Sequence, residues 1–308
     1  MHYTKSLRYV LPFGGALVAG ALGLAAYTSY RLNAPRRRGM YDNFTISPWE
    51  VQVPHEAVSF QTDDGLTLRG WWLPQPQSDR VIVGFTGHRG AKHELLGIGS
   101  GLWRAGNNVL LFDFRGRGDS DIAPLSLAHK ELPDARAAIR YASERMPNGK
   151  VGVIGYSMGA AVALLVTAAD PNIAAVVADS PFASIRDVLE NAYKLRRLPP
   201  RFLLELSDVI NRWRYGYQFE AVRPVDVVGQ IAPRPLLVIH GTADSLIPAE
   251  QGQQVYDAAG EPKELWLVPD AIHCGAYFVD RPAYVERVAA FFDRALSADH
   301  KPAVDTNE

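Results

Sequence analysis

Residues 151–155 form a short apolar run that passes through Gly155-Tyr156-Ser157-Met158-Gly159 straight into the small-residue stretch 160–169. A strand handed so abruptly to a helix needs a turn whose apex leaves the ordinary backbone regions. Glycines two residues before and two after Ser157 give the strand and helix room to cross closely. This context constrains the architecture more than the G-x-S-x-G pattern alone, because a strand–turn–helix unit belongs to a parallel sheet covered by helices. It also sets the Ser157 hydroxyl ahead of a helix whose first N–H groups face any developing negative charge.

The rest of the chain keeps the same rhythm. A hairpin is predicted from 57–62 and 66–74, joined by the turn Asp63-Asp64-Gly65. Further strands are predicted at 80–85, 108–112, 173–178, 235–240 and 264–268, making with 151–155 a mostly parallel, eight-stranded α/β sheet. Helices are expected from near Lys92, over 126–144, over 160–169 and over 284–296. In the second of these, Leu127, Leu132, Ala135, Ile139 and Ala142 share a face, while Pro133 favours a later start. The rhythm breaks at 181–230, where Tyr193, Leu198, Phe202, Trp213 and Tyr217 point to a small helical insertion over the carboxyl edge of the sheet. A lid shaping an acyl pocket is the functional reading of that insertion; a plain pair of packing helices is the alternative.

A chain of 308 residues, 47% hydrophobic and 21% charged, suits one large folded domain, placed here at 56–298 with a flexible tail at 299–308. A net charge of −1 gives no reason to expect a nucleic-acid partner. One cysteine, Cys274, excludes an internal disulfide framework and a multi-cysteine metal site. With no H-E-x-x-H, phosphate-loop or dinucleotide pattern, no metal or cofactor is expected. Residues 10–30 carry no charge and lie between a basic flank at 1–9 (Lys5, Arg8) and Arg31 with Arg36-Arg37-Arg38. That length matches the roughly 20 residues of a bilayer-crossing helix. The expectation is a single-pass membrane anchor, followed by a polar connector at 31–55. A cleaved signal segment, leaving a secreted or periplasmic protein, and a buried helix are the alternatives.

A serine nucleophile needs a base, and the base an orienting acid. His273 follows the last strand and precedes the last helix, in Asp270-Ala271-Ile272-His273-Cys274-Gly275. The other histidines lie in flanking stretches or, like His240 and His93, at less suitable element ends. Asp244 follows strand 235–240 and gives the order Ser157, Asp244, His273; Asp179, ending strand 173–178, is the alternative acid. The oxyanion donors are expected to be the backbone N–H groups of Met158 and of His88, with Arg89 the second choice for the latter. The segment Asp113-Phe114-Arg115-Gly116-Arg117-Gly118-Asp119-Ser120 reads as a shaped turn held by pairing of Asp113 with Arg115. Cys274 reads as a small buried side chain.

Taken in order, Gly87, the 113–120 segment, Gly155–Gly159, Asp179-Ser180-Pro181-Phe182, Gly241–Asp244 and His273 resemble the α/β-hydrolase superfamily, over about residues 57–296. Within it the chain resembles Bem46-type proteins and, more loosely, serine aminopeptidase S33-like and acyl-thioesterase hydrolases. It departs from them at Thr86-Gly87, where the family has His-Gly. The resemblance implies a triad of Ser157, Asp244 and His273 but no particular substrate. The aromatic insertion and the uncharged run 10–30 lead to the expectation of a small or medium carboxylic ester or thioester, cleaved through an acyl-enzyme, with lipid-derived substrates included if the anchor is retained. An aminopeptidase or amidase of the same fold, and a noncatalytic protein that kept the fold, are the alternatives. No oligomeric state follows from the sequence.

Overall fold

The structure, a computed structural model, describes residues 4–35 and 45–297, with side chains from Val18 onward. Its eight strands are β1 (Glu56–Gln61), β2 (Thr67–Leu73), β3 (Arg80–Phe85), β4 (Asn108–Asp113), β5 (Lys150–Tyr156), β6 (Ile173–Asp179), β7 (Leu236–Gly241) and β8 (Lys263–Val268). They form one sheet in the order β1-β2-β4-β3-β5-β6-β7-β8. β2 runs antiparallel to both neighbours, and β4 through β8 are parallel. Parallel strands joined by crossover helices are covered on both faces, which is why these read as unbroken apolar runs. Alternate side chains go to opposite layers: Val81, Val83 and Phe85 join one core cluster, Ile82 the other. The first layer is completed by α3 (Leu132–Arg145) and α4 (Met158–Ala169), the second by α2 (Leu96–Arg104) and α9 (Arg281–Ser297).

All the predicted strands are present within a residue or two. The helix predicted from 126 starts at Leu132, because Ser126 and Glu131 bond to one another in the loop ahead of it and Pro133 sits in its first turn. The last helix begins at Arg281, three residues earlier than its apolar pattern suggested. The insertion holds α5 (Ile185–Leu195), α6 (Pro200–Tyr215) and three short 3-10 turns ending at Ile231. Ser184 caps α5 by accepting from Asp187 N–H, and Gly216, at φ 79°, closes α6 in the left-handed conformation. Two helices were not foreseen: α7 (Ala249–Ala258), between β7 and β8, and the single turn α8 (Ala276–Val279).

The amino-terminal helix α1 (Thr4–Asn33) overruns the predicted 10–30 segment, and its last turns pack on α6. Asn33 Nδ2 donates to Asn211 Oδ1 at 2.7 Å, Ser29 Oγ lies 3.4 Å from the same oxygen, and Ala25, Ser29 and Asn33 are buried. The Asn33 carbonyl accepts from Leu125 N–H at 2.8 Å. Ala34 and Val53, near the two ends of the predicted connector, are both buried. Among the described residues no helix is long and apolar enough to cross a membrane. The side chains of the basic flank 1–9, the arginines at 36–38 and the tail 299–308 lie outside the described residues.

Candidate active site

Ser157, Asp244, His273 and His88 each follow the carboxyl end of a strand, where the helices of a parallel sheet leave a crevice. Ser157 follows β5 at φ 54° and ψ −118°, a strained combination for a residue with a side chain. The surroundings impose it: a Cβ on Gly155 would lie 2.1 Å from the Gly159 carbonyl oxygen, and one on Gly159 would lie 2.3 Å from that of Phe85. Any larger residue at either position would force strand and helix apart. The turn is tied to the sheet through Ser157 N–H, which donates to the Asp179 carbonyl at 2.8 Å.

His273 Nε2 lies 2.9 Å from Ser157 Oγ, and His273 Nδ1 lies 2.6 Å from Asp244 Oδ2. With the proton on Nδ1 donated to the carboxylate, Nε2 is left to accept from the serine hydroxyl. The other Asp244 oxygen accepts from Leu246 N–H at 3.0 Å and Ile247 N–H at 2.9 Å, which fixes the carboxylate's orientation. Burial works against the Asp244 charge, but hydrogen bonds from His240 and His273 outweigh it and lower its pKa to about 2. The His240 ring is buried beside it, with Nε2 bonded to the Ile247 carbonyl at 2.8 Å. The His273 side chain is 21% exposed, so the ring remains reachable from the crevice.

Asp179, the alternative acid, accepts from Tyr284 Oη at 2.8 Å and from Ser180 Oγ at 3.0 Å, and makes no bond to His273. Its complete burial raises its pKa to about 6. Ser180 Oγ also accepts from Cys274 N–H at 3.1 Å, so this buried group ties the strand-end loop after β6 to the loop that carries His273. Cys274 is half-buried, with Sγ 3.6 Å from His273 Nε2. Burial, reinforced by the Asp179 charge, pushes its thiol pKa up, which disfavours the thiolate a sulfur nucleophile needs.

The loop after β3 approaches closely: a Cβ on Gly87 would lie 3.6 Å from Ser157 Cβ. The Asp113–Arg115 pairing expected to hold the 113–120 turn does not form. Asp113 instead accepts from Lys92 N–H at 2.7 Å and Lys92 Nζ at 2.5 Å, which anchors the far end of that loop, while Lys92 Nζ also reaches Asp119 at 2.5 Å. Arg115 forks onto Asp134, at 2.7 Å, and Asp64, at 2.8 Å. Arg117 pairs with Glu131 at 2.9 Å, both side chains fully buried, and approaches Met158 Sδ at 3.3 Å. Burial opposes the Glu131 charge, yet Arg117 and Ser126 hold its pKa below the usual value. Burial and then the Arg117 charge lower the His88 pKa to about 3, so its ring is neutral. Lys92, Glu131 and Tyr284 gave no signal in the sequence, since nothing in their local patterns names their remote partners.

Two hollows border residues adjacent in sequence to the site, Tyr156 and Cys274 in one and His88 in the other. One, about 300 Å³, is lined by Leu95, Ile98, Tyr156, Cys274, Tyr277 and Phe278, among others. The second, about 410 Å³, lies between α1, α5 and His88.

Comparison with known proteins agrees with this fold. A family profile described as "alpha/beta hydrolase fold" matches residues 81–216. The chain is 32% identical over 263 residues to the uncharacterised protein YfhR of Escherichia coli (strain K12), covering 81% of this chain and 83% of that protein. It is 33% identical over 194 residues to the uncharacterised protein YqkD of Bacillus subtilis (strain 168), where the match takes in 61% of this chain and 63% of YqkD. Among solved structures it is similar to the esterase Pf2001 of Pyrococcus furiosus, with a TM-score of 0.71 and 27% identity over 86% of this chain and 98% of that one.

Proposed function

The chain belongs to the α/β-hydrolase family, and from that premise we propose that it is a serine hydrolase cleaving a carboxylic ester or thioester through Ser157, His273 and Asp244. The observation that carries the reading is the unbroken chain of contacts, 2.9 Å from Ser157 Oγ to His273 Nε2 and 2.6 Å from Nδ1 to Asp244. Ser157 Oγ attacks the substrate carbonyl carbon as its proton passes to His273 Nε2. Asp244, ionised, holds the imidazole in the accepting tautomer and stabilises the imidazolium that forms. The backbone N–H groups of His88 and Met158 receive the oxyanion; among the described residues neither donates to another acceptor. Collapse of the tetrahedral species breaks the bond to the leaving oxygen or sulfur, which takes the His273 proton. Water then attacks the acyl-enzyme, giving its proton to His273, and the second collapse returns that proton to Ser157 as the acid departs.

An ester substrate accords with the similarity to an esterase and with the largely apolar hollow beside Tyr156 and Cys274. The test is kcat/KM on matched acyl esters, thioesters and amides with the full chain and with Ser157→Ala. Turnover of ester or thioester that vanishes in the variant supports the reading; faster turnover of the matched amides assigns an amidase instead.

Membrane contact takes a narrower form than a span over 10–30. The last turns of α1 pack on α6, whereas Val18 and Leu22 are exposed, 59% and 45% respectively. We place contact with lipid at the turns preceding Leu24. Retention in the membrane fraction after an alkaline wash, lost on deleting residues 1–17, is the expected result, and recovery of the full chain in the supernatant would refute it.

A further inference from the structure

The hollow between α1, α5 and His88 has no part in the bond-breaking steps above. Its apolar wall is built from remote segments, with Leu24 and Leu32 from α1 and Leu189 from α5. Arg31, Arg89 and Arg196 also line it, and no carboxylate is among its described lining residues. We propose that this hollow is a substrate subsite, built jointly by the amino-terminal helix and the insertion, for an ester that carries a carboxylate or phosphate beyond an apolar stretch. This inference rests on the Ser157 reading and adds a substrate class to it.

Three features support it. The hollow lies next to the proposed oxyanion loop, because His88 lines it and directly follows Gly87, where a Cβ would lie 3.6 Å from Ser157 Cβ. Arg31 and Arg196 line the hollow with no acid among its described lining residues, which raises the local positive potential, and an anion relieves it. Two of the guanidiniums are also partly fixed by backbone carbonyls. Arg89 donates to the Arg31 carbonyl at 2.8 Å and Arg196 to the Ala192 carbonyl at 2.9 Å. Planar guanidinium forks suit both carboxylate and phosphate. The α1 wall is held by the bonds of Ser29 and Asn33 to Asn211, so the subsite exists before substrate arrives. The neutral His88 ring adds no charge of its own.

The experiment compares kcat/KM for charged and neutral esters in two arms, using the full chain and its Arg31→Gln/Arg196→Gln double variant. In one arm the terminal carboxylate sits on the acyl half, an ω-carboxyalkanoyl ester against the plain alkanoyl ester of equal length. In the other it sits on the alcohol half. The expected result is a charged-over-neutral preference of about fivefold or more in one arm, reduced in the double variant and by about 0.5 M salt. The arm that responds identifies the half of the ester the hollow holds, and a phosphate-terminated analogue in that arm ranks the two anions. Because the ratio is taken within each protein, partial loss of folded variant does not alter it. Absence of preference in both arms, or a preference that survives the double variant, overturns the subsite while leaving the Ser157 reading intact. No Ser157-dependent turnover of any ester removes both.

Discussion

The carboxyl edge of the sheet and the junction of α1 with the insertion are assembled by different means. At the edge, Ser157, Asp244, His273 and the 87–88 loop each follow directly from the end of a strand, so pairing of the strands brings the loops together. At the junction, Asn33 and Asn211 meet across 178 positions of chain without a shared sheet. The strand-end geometry is fixed by many cooperative backbone bonds, the junction by a few side chains and an apolar seam. The edge is thus suited to holding reacting atoms within tenths of an ångström, and the junction to shaping what surrounds them.

The sharpest way to break the edge without disturbing the junction is Asp244→Asn. It keeps the shape but favours the wrong imidazole tautomer, and kcat should fall on the order of 10³–10⁴-fold with the melting temperature little changed. Steady-state kinetics beside a thermal melt checks both halves. Next in size, Glu131→Ala strands the buried Arg117 charge beneath both regions and should cost about 3–5 kcal/mol, read from urea denaturation.

Asp179→Asn tests the buried group behind the edge. Because its folded pKa is raised to about 6, its contribution to stability is fully present below the unfolded value of 3.8 and is lost as pH rises through about 6. The stability of the native chain relative to the variant should therefore fall by up to about 3 kcal/mol between pH 4 and pH 7. Parallel denaturation curves at the two pH values give the difference, and a flat difference would contradict the assignment. The smallest effect belongs to the junction. Asn211→Ala removes the acceptor shared by Ser29 and Asn33 and should cost about 1–2 kcal/mol, seen as faster amide hydrogen exchange over residues 24–33 while exchange in β5 and β7 is unchanged.

The same contrast explains what could be read from the sequence. Strand periodicity and the glycines flanking Ser157 are local patterns, and local patterns were enough to foresee the sheet, its turn at Ser157 and the positions of Asp244 and His273. The pairing of Asp113 with Arg115 was misread because two residues' separation in sequence says little about which way each side chain points. In the folded chain Asp113 turns to Lys92 and Arg115 to Asp134 and Asp64. Likewise the uncharged run 10–30 has the composition of a span, but its carboxyl turns have a tertiary partner in α6 that composition cannot register. The hollow between α1, α5 and His88 draws on three remote segments, so no single stretch of sequence announces it.

The most direct test of the central claim is covalent labelling by a fluorophosphonate, followed by intact-mass and peptide analysis of the full chain and its His273→Ala variant. The account predicts one adduct per chain, on Ser157, with the labelling rate reduced at least about 100-fold when the base is removed. An adduct on another residue, no adduct at all, or equal rates in the two proteins would contradict it.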